Sequence, residues 1–231
     1  MRIGIITAMS SEHEQLVHLL ESPVHHAEGP FQFIEGQIGD NTMILMQCGI
    51  GKVNAAAGTV ELIRNFHPDC VISTGVAGGI DTCLRVMDVV ASQEVVYHDV
   101  WCGEGNEYGQ VQGLPATFKG NATLLHTALH LTSTTKIHGG LICTGDKFIT
   151  DRSELDVIKT NFPQGLAVDM ESGAIAQTCH LYNVPFLSFR IISDTPGAEN
   201  HTEQYQNFWG EMANRSFHVT ATFLKALPNQ L

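Results

Sequence analysis

Three acidic residues stand where a folded chain would have to justify a charge. Asp194 closes the apolar run Phe186–Ser193, and period-2 alternation along a strand places it on the same face as Arg190. A charge inside such a run needs a partner or a function, so one reading is a structural Arg190–Asp194 pair or a helix cap. The other is an acid: a carboxyl partly desolvated by apolar neighbours keeps its proton to higher pH and can donate it near neutrality. Glu12 follows the apolar segment Ile3–Ala8 and opens a helix. Ser11 and Glu14 have capping-box spacing with Ser11 as N-cap, which puts Glu12 in the first turn, where an acid also simply complements the helix dipole. Glu171 lies with Asp169 between the apolar run Gly165–Val168 and the small-residue segment Ser172–Ala176, two acids at one strand-to-helix joint.

Other chemistries find less footing. Gly75-Val76-Ala77-Gly78-Gly79 is not GxGxxG, no GKS or GKT follows it, and Gly49-Ile50-Gly51-Lys52 is too short for a phosphate loop. Both turns suit close approach of backbone to a small ligand or another strand. The 12 histidines form no HExxH or HxH pair, and no metal is expected. His98-Asp99 after an apolar strand is the most suggestive histidine. No GxSxG elbow is present, and no cysteine has an evident histidine partner.

The elements that must position these groups alternate between strand and helix. Strands are expected over 2–8, 31–38, 42–48, 70–76, 87–95, 138–144, 165–170 and 186–193, and helices over 11–22, 52–66, 121–133, 151–160, 171–183 and 203–226. Several strands are apolar on both faces, which requires cover on both sides. The expected fold is therefore a three-layer α/β/α domain with a central mixed, twisted sheet, single across 1–231. The segments 31–38 and 42–48 read as a hairpin turned through Gly39-Asp40-Asn41. Ligands of such sheets gather at the carboxyl ends of strands.

Composition narrows the partners. The chain has 231 residues, 43% apolar and 16% charged, with a net charge of −12. That is a core-rich globular composition, and the acidic balance with no basic run disfavours nucleic acid and anionic membrane. No stretch approaches the roughly 20 apolar residues of a membrane span. The short N-terminal apolar run reads as a buried strand rather than a leader. Six scattered cysteines without a CxxC pair read as reduced thiols, so a cytoplasmic location is expected.

Taken together, MRIGIITAM with Glu12, CGIGKVNAA, STGVAGG, YHD followed by EYGQ and a later Gly-x-Pro, TGDKFI, AVDMESGAIAQTC and FRIISD run in one familiar order. The chain resembles the 5′-methylthioadenosine/S-adenosylhomocysteine nucleosidases of the nucleoside phosphorylase superfamily, over essentially its whole length. The resemblance implies hydrolysis of the bond between adenine and a 5′-thio-substituted ribose, without metal or cofactor. It makes Asp194 the acid that protonates adenine N7, oriented by Ser193, and Glu12 the group that activates water. Glu171 would bind the ribose hydroxyls, with Met170 packed on the sugar and Arg190 near the ribose and water. Phe148 would stack on the base and the Ile149 main chain would read its edge, while Ala77 and Gly78 would contribute the glycine turn. Met9 and Ile50 would receive the thioether, with Tyr205, Phe208 or Trp209 closing over it. A homodimer is implied, the neighbouring subunit completing the site from the stretch after Tyr97-His98-Asp99.

The chain departs from the family pattern at Ser10-Ser11, where acids are usual, at Val76, where serine is common, and in the segments 100–106 and 195–199. The last two border the expected 5′ pocket. The alternatives are a purine nucleoside phosphorylase, a futalosine-type nucleoside hydrolase of the same fold, and a nucleoside-binding protein without turnover. Phosphate needs cationic donors, and neither Ala8–Glu14 nor the STGVAGG turn contains Arg or Lys.

Overall fold

The structure, a computed structural model, describes residues 1–196, 198, 200–209 and 213–231. Ten strands form one mixed sheet among the described residues. Its centre is β5 (Cys70–Gly79), flanked by parallel β1 (Arg2–Thr7) and parallel β10 (Phe186–Asp194). Beyond β1 the sheet continues through β4 (Asn41–Gln47), β3 (Phe31–Ile38) and β2 (Glu21–Glu28). On the other side β10 pairs with β6 (Val89–Tyr97), β6 with β8 (Ile137–Thr144), β8 with β9 (Gly165–Asp169), and β9 returns to β5. Those five strands close a ring. The two-residue β7 (Phe118–Lys119) pairs with β6.

Alternation along the strands divides the core. Ile3 and Ile5 of β1 join Leu187, Phe189 and Ile191 of β10 on one face, under α1 (Ser10–Val17), α3 (Ala122–Leu129) and α7 (Ala213–Lys225). Ile6 and Ile192 point to the other face, with α2 (Lys52–Phe66) and α5 (Ser172–Tyr182). Gly4 lets α2 sit tight on the sheet, since a Cβ there would press on the Leu62 side chain. The first turns of α5 are buried from Ser172 to Ala176. A Cβ at Gly173 would meet the Tyr97 ring and Thr144, so small residues are what allow this helix to lie on β6 and β8.

The expected strands all form, including the β3–β4 hairpin with Gly39 at φ +58°. The expected helices at 151–160 and 171–183 appear as α4 (Arg152–Asn161) and α5. Three expectations are corrected. The helix expected over 11–22 ends at Val17, and the chain turns into β2, an exposed edge strand that no apolar alternation marks. The cap is Met9 rather than Ser11: Glu12, not Glu14, reaches back to the amide at the start of the helix. The helix expected over 203–226 is two pieces, α6 (His201–Asn207) and α7, with 210–212 outside the described residues. Gly197 and Glu199 of the divergent 195–199 segment also lie outside them.

Candidate active site

The carboxyl ends of β1, β4, β5, β8, β9 and β10 empty into one open pocket. Glu12, Glu171 and Asp194 all line it, although they come from opposite ends of the chain. So do Met9, Ile50, Ala77, Gly78, Phe148, Ile149, Met170 and Ser193. Arg190, expected near the ribose and water, lies off the wall, fully buried directly behind it.

Glu12 is held by the backbone. Its Oε2 accepts from the amides of Ala8 and Met9, both at 3.0 Å, and Oε1 from the amide of Val76 at 3.0 Å. Burial raises the Glu12 carboxyl above the usual range, against the pull of Arg190 and the three amides. The helix start alone would have made Glu12 a weak base; burial makes it a stronger one, and Oε1 keeps a lone pair for a water proton. The backbone path needs Gly75, at φ +148° and opposite Arg190 in the β5–β10 register. A Cβ there would sit 2.9 Å from Arg190 Nη1 and collide with the Glu12 carboxylate. Gly75→Ala is expected to cost about 1–3 kcal/mol through backbone strain and displaced neighbours. Thermal melts should show a lower midpoint and steady-state assays a lower kcat; an unchanged melt with full activity would refute the packing argument.

Arg190 does not pair with Asp194. The β5–β10 register slips between Ile192 and Asp194, which breaks the alternation that would have kept the two on one face. Arg190 Nε instead meets Asp169 Oδ2 at 2.9 Å, Nη2 donates to Ser73 at 2.7 Å, and Glu171 Oε2 stands 3.8 Å away. Asp169 was legible only as one of two junction acids. It also accepts from Thr144 Oγ1 at 2.6 Å and from the Ser172 hydroxyl and amide, so it fastens β8, the start of α5 and Arg190 together. Glu171 Oε1 accepts from the Gly51 amide at 3.0 Å, which is the close approach the Gly49–Gly51 turn provides. Burial, opposed by Arg190 and reinforced by Asp169, pushes the Glu171 carboxyl up to about 7. Three carboxyls thus face a single guanidinium.

Asp194 is buried at the other side of the bulge. Ser193 donates to its Oδ1, and His201 Nε2 lies 2.8 Å from its Oδ2. Burial raises this carboxyl, while Ser193 and His201 draw it back. His201 was not singled out in the sequence, because a histidine in the polar stretch after Pro196 carries no pattern.

The aromatic rim is narrower than expected. Tyr205 lines the pocket, its hydroxyl 3.9 Å from Met9 Sδ, and its ring stands 5.4 Å from that of Phe148. Phe208 is instead fully buried in the core, and Trp209 packs edge-on against Tyr205 and Phe208. Trp101 and Tyr108 stack on each other away from the pocket. His98 is a buried neighbour of Gly145 and does not reach the pocket, while Asp99 pairs with Lys52 at 2.8 Å.

The family model of the phosphorylase superfamily matches residues 2–225. The 5′-methylthioadenosine/S-adenosylhomocysteine nucleosidase of Pseudoalteromonas translucida is 44% identical over 204 residues, 87% of each chain. That of Chromohalobacter salexigens is 40% identical over 230 residues, 98% of this chain and 97% of the other. Among solved structures, the nucleosidase of Neisseria meningitidis in complex with methylthio-immucillin-A superposes with a TM-score of 0.92 at 36% identity, covering 98% of this chain and 99% of that one. The Colwellia psychrerythraea enzyme in complex with adenine gives 0.93 at 36% identity, covering 100% and 97%. A strand-end pocket carrying three acids, a matched family model and relatives aligned almost end to end agree: the chain belongs to the phosphorylase superfamily and, within it, to the 5′-methylthioadenosine/S-adenosylhomocysteine nucleosidases.

Proposed function

We propose that this chain hydrolyses the N-glycosidic bond of 5′-thio-substituted adenosines such as 5′-methylthioadenosine and S-adenosylhomocysteine, releasing adenine. The observation that carries the reading is the meeting of Glu12, Glu171 and Asp194 on one pocket. Cleavage passes through a sugar with oxocarbenium character, so it gains from negative charge beside the ribose and from an acid at the base. Glu171 takes the ribose hydroxyls, with Met170 against the sugar. Glu12 removes a proton from water as its oxygen attacks C1′, and the three main-chain amides keep the carboxylate aimed. Asp194 gives its proton to N7 as the C1′–N9 bond breaks, so neutral adenine leaves rather than its anion. Phe148 and Ile149 flank the base, and Met9, Ile50 and Tyr205 offer an apolar surface to the thioether. Ala77 and Gly78 let the base approach the β5 exit closely.

Water is favoured over phosphate by the state of the site's cation. Arg190 is committed to Asp169, Ser73 and Glu171, and the Lys147 ammonium at the rim is paired with Glu154. A phosphate placed to attack C1′ would instead meet Glu12. Adenine release from methylthioadenosine is therefore expected to run at the same rate in phosphate-free and phosphate buffers, giving free methylthioribose. An absolute phosphate requirement, with the sugar 1-phosphate as product, would overturn the hydrolase reading.

The same proposal covers assembly and location. One domain spans 1–231, consistent with a single sheet and a family match over 2–225. We read the chain as a homodimer: Ile50 lines the pocket yet is 53% exposed, and Val53 one turn away is 78% exposed. An apolar partner surface fits there. No described helix is long and apolar enough to cross a membrane. Six free cysteines, four of them buried, favour a reducing, cytoplasmic compartment.

A further inference from the structure

His201 has no part in the reaction as drawn, yet it touches the acid. It begins α6, is buried at 5% exposure, and does not line the pocket. Its Nε2 nevertheless lies 2.8 Å from Asp194 Oδ2, while the Ser193 hydroxyl takes Oδ1. The carboxyl is therefore held at both oxygens, by Ser193 on the pocket wall and by His201 from behind it. A second tie joins the same two segments: the Thr195 amide donates to Gln204 Oε1 at 2.8 Å. The His201 ring also stands 5.7 Å from Phe148, and Tyr205, four residues further along α6, lines the pocket. One short helix thus carries both a residue that faces the ligand and a residue that holds the acid.

We propose that His201 is a positioning residue for Asp194, fixing the rotation of its carboxyl from behind the pocket so that the acid is aimed at the base only when α6 is seated. The inference rests on the reading of Asp194 as the acid. The physical reason is twofold. The terminal torsion of an aspartate is broad, so an unanchored carboxyl would present its proton in many directions, and proton transfer rewards the aligned one. In addition, when the proton passes from Asp194 to N7 and the C1′–N9 electrons go to the base, Asp194 becomes a carboxylate. With His201 in its Nε2–H tautomer, the hydrogen bonds to Oδ1 and Oδ2 from Ser193 and His201 strengthen as that charge develops, and solvent later returns the proton. A contact that strengthens along the reaction acts on kcat rather than on KM.

The test compares two substrates in His201→Ala and His201→Gln. One is 5′-methylthioadenosine, whose adenine needs the proton. The other is 4-nitrophenyl 5-methylthioriboside, whose phenolate leaves without one. In His201→Ala, kcat on methylthioadenosine is expected to fall about 10²-fold with KM changed by no more than about threefold, and the nitrophenyl riboside to lose no more than about threefold. His201→Gln, which can still donate toward Asp194, should recover about tenfold of the loss. Equal losses on both substrates would assign His201 a merely structural role and overturn the proposal, as would no loss on either. Asp194→Asn is run beside them. A loss selective for methylthioadenosine in Asp194→Asn but not in His201→Ala would sink the inference and leave the acid in place. No selectivity in Asp194→Asn would sink the acid reading itself.

Discussion

Asp194→Asn is expected to bind methylthioadenosine with near-normal affinity and to lose at least about 10³-fold in kcat, the upper part of what a positioned acid contributes. The amide fills the same volume and can still accept from Ser193 through its oxygen, while its NH₂ meets His201 Nε2, which accepts in the other tautomer, so the pocket wall and the β10 bulge should survive. What it lacks is a transferable proton, and without one adenine must depart as an anion. Stopped adenine-release assays with a parallel binding titration separate the two effects. Near-normal turnover in this variant would remove Asp194 from the chemistry, whatever the reason for its burial. A matching loss of binding would mean that the residue holds the base rather than protonating it.

Glu12→Gln should lower kcat by about 10²–10⁴-fold, with a smaller change in KM. The side chain here is fastened by three amide donors, and an amide group can satisfy only those that reach its oxygen. Its NH₂ would face either the Val76 amide or those of Ala8 and Met9, donor against donor. The variant therefore carries a structural penalty as well as the loss of a base, and a thermal melt belongs beside the rate measurement. Full-rate turnover would show that water is activated elsewhere, leaving Glu12 as a brace for the β1–α1 junction.

Which parts of this were legible in the sequence depends on whether the information is local. The strands of the ring announced themselves because both faces are buried and their runs are mostly apolar, as in Cys70–Val76 and Phe186–Ile192. The edge strand β2 did not, since its residues are mostly exposed and no face of it needed apolar side chains. The pocket residues could be placed because they sit at strand exits, where the fold class says ligands collect. The partner of Arg190 could not. Period-2 alternation pointed it at Asp194, and a one-residue register slip, invisible in composition, sent Asp194 to Ser193 and His201 and left Arg190 to Asp169. The cap of α1 was misplaced for a similar reason. Ser11 and Glu14 have the right spacing, but the carboxylate that reaches back belongs to Glu12, because that residue is also wanted by the Val76 amide across the sheet.

The grip on Glu12 has a bearing on how such a site can drift over generations. Its three donors are peptide groups, so their service depends on the route of the main chain and not on which side chains decorate it. Exchanges at Ala8, Met9 or Val76 can retune the neighbouring surface while the carboxylate stays put. Adding or deleting a single residue between Ala8 and Glu12 has no comparable licence, because it would shift the carboxylate away from the Ala8 and Val76 amides, which stay where β1 and β5 put them.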